Sequence, residues 1–217
     1  MRVVTGEAKG KRLKSPKTAG TRPIMDRVKT ALFDILSTEV TEAHFLDLFA
    51  GTGGVGIEAL SRGATHATFI EMSPVIVRLV RENLQITGLT ARAETLQADS
   101  FKFLLAHQLQ PVIPTPVAKP IHEKRSEKRT RFPEPLLEAA RVYDIIYVAP
   151  PQYEEMGARA LKLIDSSTLV TEDTVVIVQI HPKERPGVAA VACQHFALSD
   201  ERRYGSTLLM FYRHQSA

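Results

Sequence analysis

A glycine-rich turn between an apolar run and a helical pattern constrains the fold of this chain more than any other feature. Residues 46–60 read Leu-Asp-Leu-Phe-Ala-Gly-Thr-Gly-Gly-Val-Gly-Ile-Glu-Ala-Leu, a pattern that predicts a buried strand, a tight turn and a helix. Glycine accepts positive φ and lets a ligand approach the backbone, and the first turn of a helix has free N–H groups. We therefore expect a ligand site at the carboxyl end of a strand in an open α/β sheet.

The spacing of the glycines leaves more than one ligand open, and a nearby carboxylate favours one of them. The run from Gly51 to Gly56 matches the fingerprint of dinucleotide-binding enzymes, and Glu71 follows about 20 residues later. Asp47, however, would repel a pyrophosphate, whereas it suits a cation such as the amino group of a methionine moiety. The combination Asp-x-Phe-x-Gly-x-Gly resembles the first motif of class I S-adenosylmethionine (SAM) methyltransferases. A turn that binds no ligand is the remaining alternative.

Composition bounds the class of protein. The chain has 217 residues, of which 44% are hydrophobic, and this is enough for one ordinary domain with a real core. No apolar run reaches membrane-spanning length and the first residues lack a signal-peptide core, so we expect a cytoplasmic protein. The single cysteine, Cys193, excludes an internal disulfide framework. Cys193 has no cluster of potential metal ligands around it in the sequence, so we do not expect a metal site there. The net charge of +4 permits nucleic-acid binding without requiring it.

Apolar runs along the chain predict the rest of the sheet. Further buried strands are expected at residues 67–72, 93–98, 143–149 and 174–180, alternating with helical patterns. Residues 194–212 read as a terminal β-hairpin, which places an antiparallel strand in an otherwise parallel sheet. We therefore predict an α/β fold of the class I SAM-methyltransferase type, with a Rossmann-like sheet of about seven strands whose last strand is antiparallel.

The amino terminus, residues 1–21, is basic and is predicted to form a short β-hairpin that extends a methyltransferase domain at 22–217. Its cations either grip the phosphate backbone of a nucleic acid or protect a solvated sheet edge. The next helix, ending at about residue 36, is expected to present further cations, including Lys29, near the ligand end of the sheet. The residues predicted to contact nucleic acid are Arg2, Lys9, Lys11, Arg12, Arg22 and Arg27.

Residues 107–135 interrupt the pattern of strands and helices with alternating prolines and cations. This composition cannot bury a core, and a long structureless loop inside a compact domain is usually functional or disordered. We expect a mobile insertion that acts either as an RNA-contacting arm or as an inert linker.

Several separate motifs along the chain belong together. They are the amino-terminal hairpin, the Arg22-Pro23 pair, Asp-Arg-Val-Lys at 26–29, Leu-Asp-Leu-Phe-Ala-Gly-Thr-Gly at 46–53, Gly-Ile-Glu-Ala-Leu-Ser-Arg-Gly-Ala at 56–64 and Tyr-Gly-Ser-Thr-Leu-Leu at 204–209. This set of motifs resembles one family, RsmD, the bacterial 16S rRNA guanine-N2 methyltransferases. The resemblance covers most of the chain except its middle. It implies SAM-dependent methylation of a guanine N2 amine, with 16S rRNA or an assembling 30S subunit as the partner of a monomeric enzyme.

The resemblance also implies which residues hold the cofactor. The glycine turn would bind the methionine end, Glu71 would accept the ribose hydroxyls, and Asp99 would contact the adenine amino group. Asp99 also suits the N-cap of a helix at 101–106, and both roles can hold at once. The implied cofactor contacts are Asp47, Phe49, Gly51, Gly53, Glu71, Met72, Asp99, Ser100 and Ala149.

The fourth predicted strand runs into Pro150-Pro151-Gln152-Tyr153, which resembles the Asp/Asn-Pro-Pro-aromatic motif of enzymes that methylate exocyclic amines. The lone pair of an aryl amine is delocalised into its ring, and acceptors on the N–H bonds turn that lone pair towards the methyl donor. In the motif these acceptors are the Asp or Asn side chain and the carbonyl of the first proline. The aromatic ring stacks on the flipped base.

This chain departs from the motif at two positions. Ala149 stands where the polar acceptor is expected, and Gln152 occupies the aromatic position, with Tyr153 one place later. Loss of one acceptor costs about 1–3 kcal/mol, which predicts an enzyme that is roughly ten- to a hundredfold slower rather than inactive. Gln152 is a candidate for a substitute acceptor.

The sequence leaves three other functions open. The same amine chemistry serves N6-adenine methylation of DNA. Alternatively, because of Ala149, the chain is an RNA-binding protein that keeps the SAM pocket and has lost transfer activity. A nicotinamide-dependent dehydrogenase is the last alternative, which tighter binding of NAD than of S-adenosylhomocysteine would favour.

Overall fold

The computed structural model describes residues 1–16, 24–108, 142–151 and 155–215. Apart from residues 107–108, the predicted insertion lies outside these ranges. Arg22, Gln152 and Tyr153 also lie outside them, so what the sequence indicates for these positions stays a prediction.

Within the residues that the structure describes, seven strands form one sheet at the centre of the molecule. Its strands in chain order are β1 (His44–Asp47), β2 (His66–Glu71), β3 (Ala93–Gln97), β4 (Ile145–Val148), β5 (Val175–Ile180), β6 (Phe196–Tyr204) and β7 (Thr207–His214). In space their order is β3-β2-β1-β4-β5-β7-β6, and β7 runs antiparallel to both of its neighbours. The predicted fold class is therefore confirmed.

Helices cover both faces of this sheet. In the described part of the chain the α-helices are α1 (Asp26–Leu36), α2 (Gly54–Ser61), α3 (Pro74–Thr87), α4 (Ser100–Ala106), α5 (Met156–Asp165) and α6 (Arg185–Ala189). Short 3₁₀ turns lie at Ser37–Val40, Thr90–Arg92 and Pro182–Glu184. Within the described ranges, none of the helices is both long enough and apolar enough to cross a membrane.

The core is divided by the sheet into two apolar layers. Residues of α1, α2 and α3 build one layer and residues of α4, α5 and α6 build the other. The inner strands β4 and β5 are almost entirely apolar because both of their faces are covered, and β1 between its terminal His44 and Asp47 is apolar as well. The strand order reverses direction between β1 and β4, which is the point where open α/β sheets bind their ligands.

The amino-terminal segment does form a small hairpin, held by an antiparallel bridge between Arg2 and Arg12. Val3 and Leu13 pack into the core layer that contains α2. Gly6 lies so close to α2 that an added Cβ would stand 1.7 Å from the backbone oxygen of Ser61. The hairpin is therefore packed firmly on the domain and leaves its cations, including Lys9, on the exposed side.

Lys29 departs from the expectation that it is presented near the ligand end. Its side chain is fully buried, with Nζ 2.9 Å from Glu58 Oε2 and donating to the backbone oxygen of Arg2 at 2.6 Å. The cause is a buried carboxylate on α2, because a buried charge is stable only beside an opposite charge. Arg27, two residues earlier, is exposed as predicted.

Candidate active site

The glycine turn closes the carboxyl end of β1 and starts α2. Gly51 and Gly53 both have positive φ, 51° and 78°, and Gly53 is the N-cap residue of α2. No atom lies within 4 Å of the place where a Cβ of Gly51 would stand, so the backbone is open to a ligand there. Gly56 instead allows close packing, because an added Cβ would lie 2.4 Å from the ring of Phe69.

A cavity of about 340 Å³ opens above this turn, at the carboxyl edge of β1, β2 and β4. Its lining includes every residue of the implied cofactor set except Gly53, which faces the core between Ile57 and Val80. Both Pro150 and Pro151 border the same cavity. The structure thus brings the two motifs together in one space. The implied cofactor residues in the lining are Asp47, Phe49, Gly51, Glu71, Met72, Asp99, Ser100 and Ala149.

Asp47 is the most unusual group in the cavity, because it is a carboxyl that is only 1% exposed. Its Oδ2 accepts a hydrogen bond from the Gly56 N–H at 3.2 Å. Its Oδ1 is buried and has no hydrogen-bond partner among the described residues. Burial raises the pKa of Asp47 from 3.8 to about 7; the Gly56 bond partly opposes this, and the charge of Glu71 adds to it. A cation bound at Oδ1 would stabilise the ionised form.

Glu71, at the end of β2, ties two turns together. Its Oε2 accepts from the Gly51 N–H at 3.1 Å and its Oε1 accepts from the Ser73 N–H at 2.8 Å. A carboxylate oxygen can accept a second hydrogen bond, so both oxygens remain able to receive hydroxyl groups of a ligand. Met72 follows with a side chain that is 67% exposed at the border of the cavity.

Asp99 and Ser100 form the corner between β3 and α4. Asp99 Oδ1 accepts from the N–H groups of Phe101 and Lys102, both at 2.9 Å, so Asp99 is the N-cap of α4. Both of these bonds reach the same oxygen, which leaves Oδ2 for a ligand. Ser100 Oγ donates to the backbone oxygen of Leu48, joining α4 to the end of β1.

Pro150 and Pro151, here called the proline corner, follow β4 and border the cavity. Pro150 is buried, while Ala149 is partly exposed and packs against the core layer that contains α1. Tyr147 lies two residues earlier on the same face of β4, and its hydroxyl donates to Gln179 Oε1 of β5 at 2.6 Å. Tyr147 and Gln179 line the cavity together with Ala149.

The sequence did not indicate Gln179 or Tyr147 as site residues. Gln179 is the one polar residue in Val-Val-Ile-Val-Gln-Ile of β5. A polar side chain near the carboxyl end of a buried strand is the signal that could have revealed it.

The amino-terminal hairpin reaches the rim of the cavity. Met1 and Ile24, one from the hairpin and one preceding α1, both border it. Met1 packs over the glycine turn, because an added Cβ on Gly54 would stand 2.4 Å from its methyl group. Arg2 and Arg27 are exposed on the two segments that approach this rim. In the described ranges, no group of three or more His, Cys, Asp or Glu residues is arranged to hold a metal ion.

Comparison with known proteins places this geometry in a family. The family model described as "Conserved hypothetical protein 95" matches residues 1–114 and 115–213. The chain belongs to this family. The resemblance to RsmD is thereby confirmed, since the Haemophilus influenzae protein named ribosomal RNA small subunit methyltransferase D is 25% identical over 214 residues, covering 98% of this chain and 93% of its own length.

Solved structures agree on the fold. The yhhF protein of Escherichia coli covers 100% of this chain and 99% of its own with a TM-score of 0.75 at 24% identity. An RNA methyltransferase from Salinibacter ruber, solved in complex with S-adenosyl-L-homocysteine, covers 90% of this chain and 95% of its own with a TM-score of 0.59 at 13% identity. At these identities the likeness concerns the fold, which is that of class I SAM-dependent methyltransferases.

Proposed function

We propose that this protein uses SAM to methylate the N2 amine of a guanine in 16S rRNA. The observation that carries the proposal is one cavity bordered by the glycine turn after β1 and by Pro150 and Pro151 after β4. A methyl donor at the turn and an amine at the proline corner would meet in this space. The name of the Haemophilus influenzae relative supports ribosomal RNA as the substrate, and the RsmD resemblance supports guanine N2.

The residues around the turn fit SAM. The unpartnered Oδ1 of Asp47 is suited to the ammonium group of a methionine moiety. Glu71 would accept the ribose hydroxyls and Asp99 Oδ2 the adenine amino group. When bound, SAM supplies a methyl group on a positively charged sulfur; transfer forms the nitrogen–methyl bond, breaks the sulfur–methyl bond and releases one amine proton to solvent.

The proline corner would hold the target amine. The carbonyl oxygen of Pro150 would accept one N–H bond and so aim the nitrogen lone pair into the cavity. A flipped guanine would stack on Tyr153 and remain near Gln152, as the motif implies. Amine methylation needs no strong base before transfer, so these residues act by position.

The basic surface gives the RNA a direction of approach. Arg2 follows the lining residue Met1, Arg27 lies three residues after the lining residue Ile24, and both arginines are exposed. Lys9, Lys11 and Arg12 are exposed further along the hairpin. Such cations would contact phosphate groups and fix the RNA without reading its sequence. Arg22, and the insertion at 107–135, would add to this surface. We further propose that residues 1–21 act as an RNA-gripping extension of the domain at 22–217, and that the enzyme works in the cytoplasm as a monomer.

The test is transfer of a tritiated methyl group from SAM to 30S particles isolated from a strain that lacks this modification. Digestion of the product to nucleosides should give labelled N2-methylguanosine at one mapped nucleotide. Naked 16S rRNA and DNA serve as alternative substrates in parallel. If the label appears instead in N6-methyladenine of DNA, the protein is a DNA methyltransferase and the proposal is refuted.

Ala149 favours a second candidate, an RNA-binding protein that has kept the SAM pocket and lost transfer. That candidate predicts binding of S-adenosylhomocysteine by calorimetry and no label in 30S particles, 16S rRNA or DNA. Labelled nucleoside from any of these substrates would exclude it.

A further inference from the structure

We infer that Gln179 supplies the side-chain acceptor for the target amine that Ala149 lacks, an inference that rests on the proposed function. β4 and β5 are parallel, and their last paired residues are Val148 and Val178. The next residue on each strand is Ala149 on β4 and Gln179 on β5. Neighbouring strands are about 4.8 Å apart, and residues paired across parallel strands point to the same face. Gln179 therefore stands beside the position where the motif expects Asp or Asn.

The tyrosine beneath this position holds the glutamine amide. Tyr147 lies on the same face as Ala149 because side chains alternate along a strand. Its hydroxyl donates to Gln179 Oε1 at 2.6 Å. Burial, with a contribution from the charge of Asp47, raises the pKa of Tyr147 well above its ordinary value, so the phenol stays protonated and keeps its proton to donate. The Gln179 amide is thus fixed with its oxygen turned towards Tyr147.

The fixed oxygen can still accept a second hydrogen bond. An amide oxygen has two lone pairs, and the Tyr147 hydroxyl uses one of them. Gln179 is partly exposed and lines the cavity with Ala149 and Pro150. An amine held by the Pro150 carbonyl on one N–H can therefore present its other N–H to Gln179 Oε1. Glutamine is one methylene longer than asparagine, which suits a reach from the adjacent strand.

Gln179 thus takes the acceptor role in place of Gln152, which follows the prolines. The effect expected of Ala149 changes with it. If the acceptor is supplied from β5, the wild-type enzyme does not carry the ten- to hundredfold loss that a missing acceptor causes.

The test is a single-turnover methylation assay on the substrate that the wild-type protein labels, at saturating SAM. Gln179→Met removes the acceptor at nearly constant volume, and we expect the rate to fall about ten- to a hundredfold. Affinity for S-adenosylhomocysteine should stay within about twofold, because the variant leaves the glycine turn intact. Gln85→Met, an exposed glutamine on α3, is the matched control and should leave both quantities unchanged.

A rescue separates an acceptor from a merely structural residue. Ala149→Asn returns a side-chain acceptor to the position given by the motif, and in the Gln179→Met background it should restore the rate at least about fivefold. A slow Gln179→Met that Ala149→Asn leaves slow would assign Gln179 a packing role and overturn the inference. An unchanged rate in Gln179→Met would overturn it directly.

A replacement variant and the activity of the wild type complete the test. If Gln179→Met fails to fold, Tyr147→Phe replaces it, and we expect a several-fold slower single turnover because the amide loses its fixed orientation; an unchanged rate contradicts the inference. A wild-type protein that transfers no label refutes the proposed function itself. If the wild type transfers label and Gln179→Met has the same rate, only the present inference is refuted.

Discussion

The ionisation of Asp47 should make cofactor binding depend on pH. The perturbation is a change from pH 8 to pH 6, which crosses the pKa of about 7 that burial gives this carboxyl. The proposed contact between Asp47 Oδ1, the atom left unpartnered by the described residues, and the ammonium group of the cofactor requires the ionised carboxylate. Binding should therefore select ionised Asp47 and release a proton when the carboxyl was neutral.

The magnitude follows from the fraction of Asp47 that is ionised before binding. With a pKa of about 7, roughly one tenth is ionised at pH 6 and nine tenths at pH 8, so the dissociation constant should be about tenfold larger at pH 6. At pH 7 about half a proton should be released per ligand bound.

Isothermal titration calorimetry with S-adenosylhomocysteine at pH 6, 7 and 8 measures the affinity. Repetition in buffers of different ionisation enthalpy counts the released protons. Asp47→Asn is the control: it keeps an acceptor for the Gly56 N–H, should bind more weakly at pH 8, and reports any titration of the ligand itself. Equal affinity of the wild type at pH 6 and pH 8, with no proton released, would refute the assignment of Asp47 to the ammonium group.

Four other variants and conditions test separate parts of the structure. Raising the pH from about 4 to about 7 should destabilise the ligand-free protein, because burial raises the pKa of Asp47 from its ordinary value of 3.8, which applies in the unfolded chain, to about 7 in the folded protein. Urea unfolding should show a loss of up to about 4 kcal/mol in the free energy of unfolding, and this loss should be absent in Asp47→Asn. Lys29→Met should lower the free energy of unfolding by about 1.5–3 kcal/mol, since it removes one of the two cations that neutralise the buried carboxylate of Glu58 and leaves Arg62 as the other, and a smaller loss in a Lys29→Met/Glu58→Gln double variant would support that cause. Gly56→Ala should cost about 1–3 kcal/mol and weaken S-adenosylhomocysteine binding, because the new Cβ meets the ring of Phe69, whereas Gly187→Ala, which has open space, should do neither. Replacing Lys9 and Arg12 by Gln should weaken RNA binding and lower the slope of log K against log salt by about two, with S-adenosylhomocysteine affinity unchanged; an unaltered slope would show that the hairpin does not touch phosphates.

The features that the sequence predicted well are those encoded by neighbouring residues. The glycine turn, the two prolines and the capping aspartate at the start of α4 each express the local backbone geometry. The apolar runs gave the strands, and the sheet then placed their carboxyl ends side by side. The shared cavity therefore followed from local signals and one rule of topology.

The features that the sequence missed depend on partners far away in the chain. Lys29 looks like a surface cation until Glu58, on α2, is placed beside it. Gln179 looks like part of an apolar strand until the register of β4 and β5 sets it beside Ala149. The sequence did not reveal either placement, because pairing across elements is fixed by the packing of the whole sheet rather than by local pattern.

Glu58 explains how the hairpin and the glycine turn are held as one body. Its two carboxylate oxygens accept the N–H groups of Val4 and Thr5 at 2.8 and 2.9 Å, while Lys29 and Arg62 neutralise its charge. α2, which carries Glu58, is the helix that begins at the glycine turn. A carboxylate with this many partners in the core fixes the position of each of them. RNA bound by the hairpin would thus be held at a fixed position relative to the glycine turn, where the methyl donor is proposed to bind, because the same buried side chain connects the hairpin and α2.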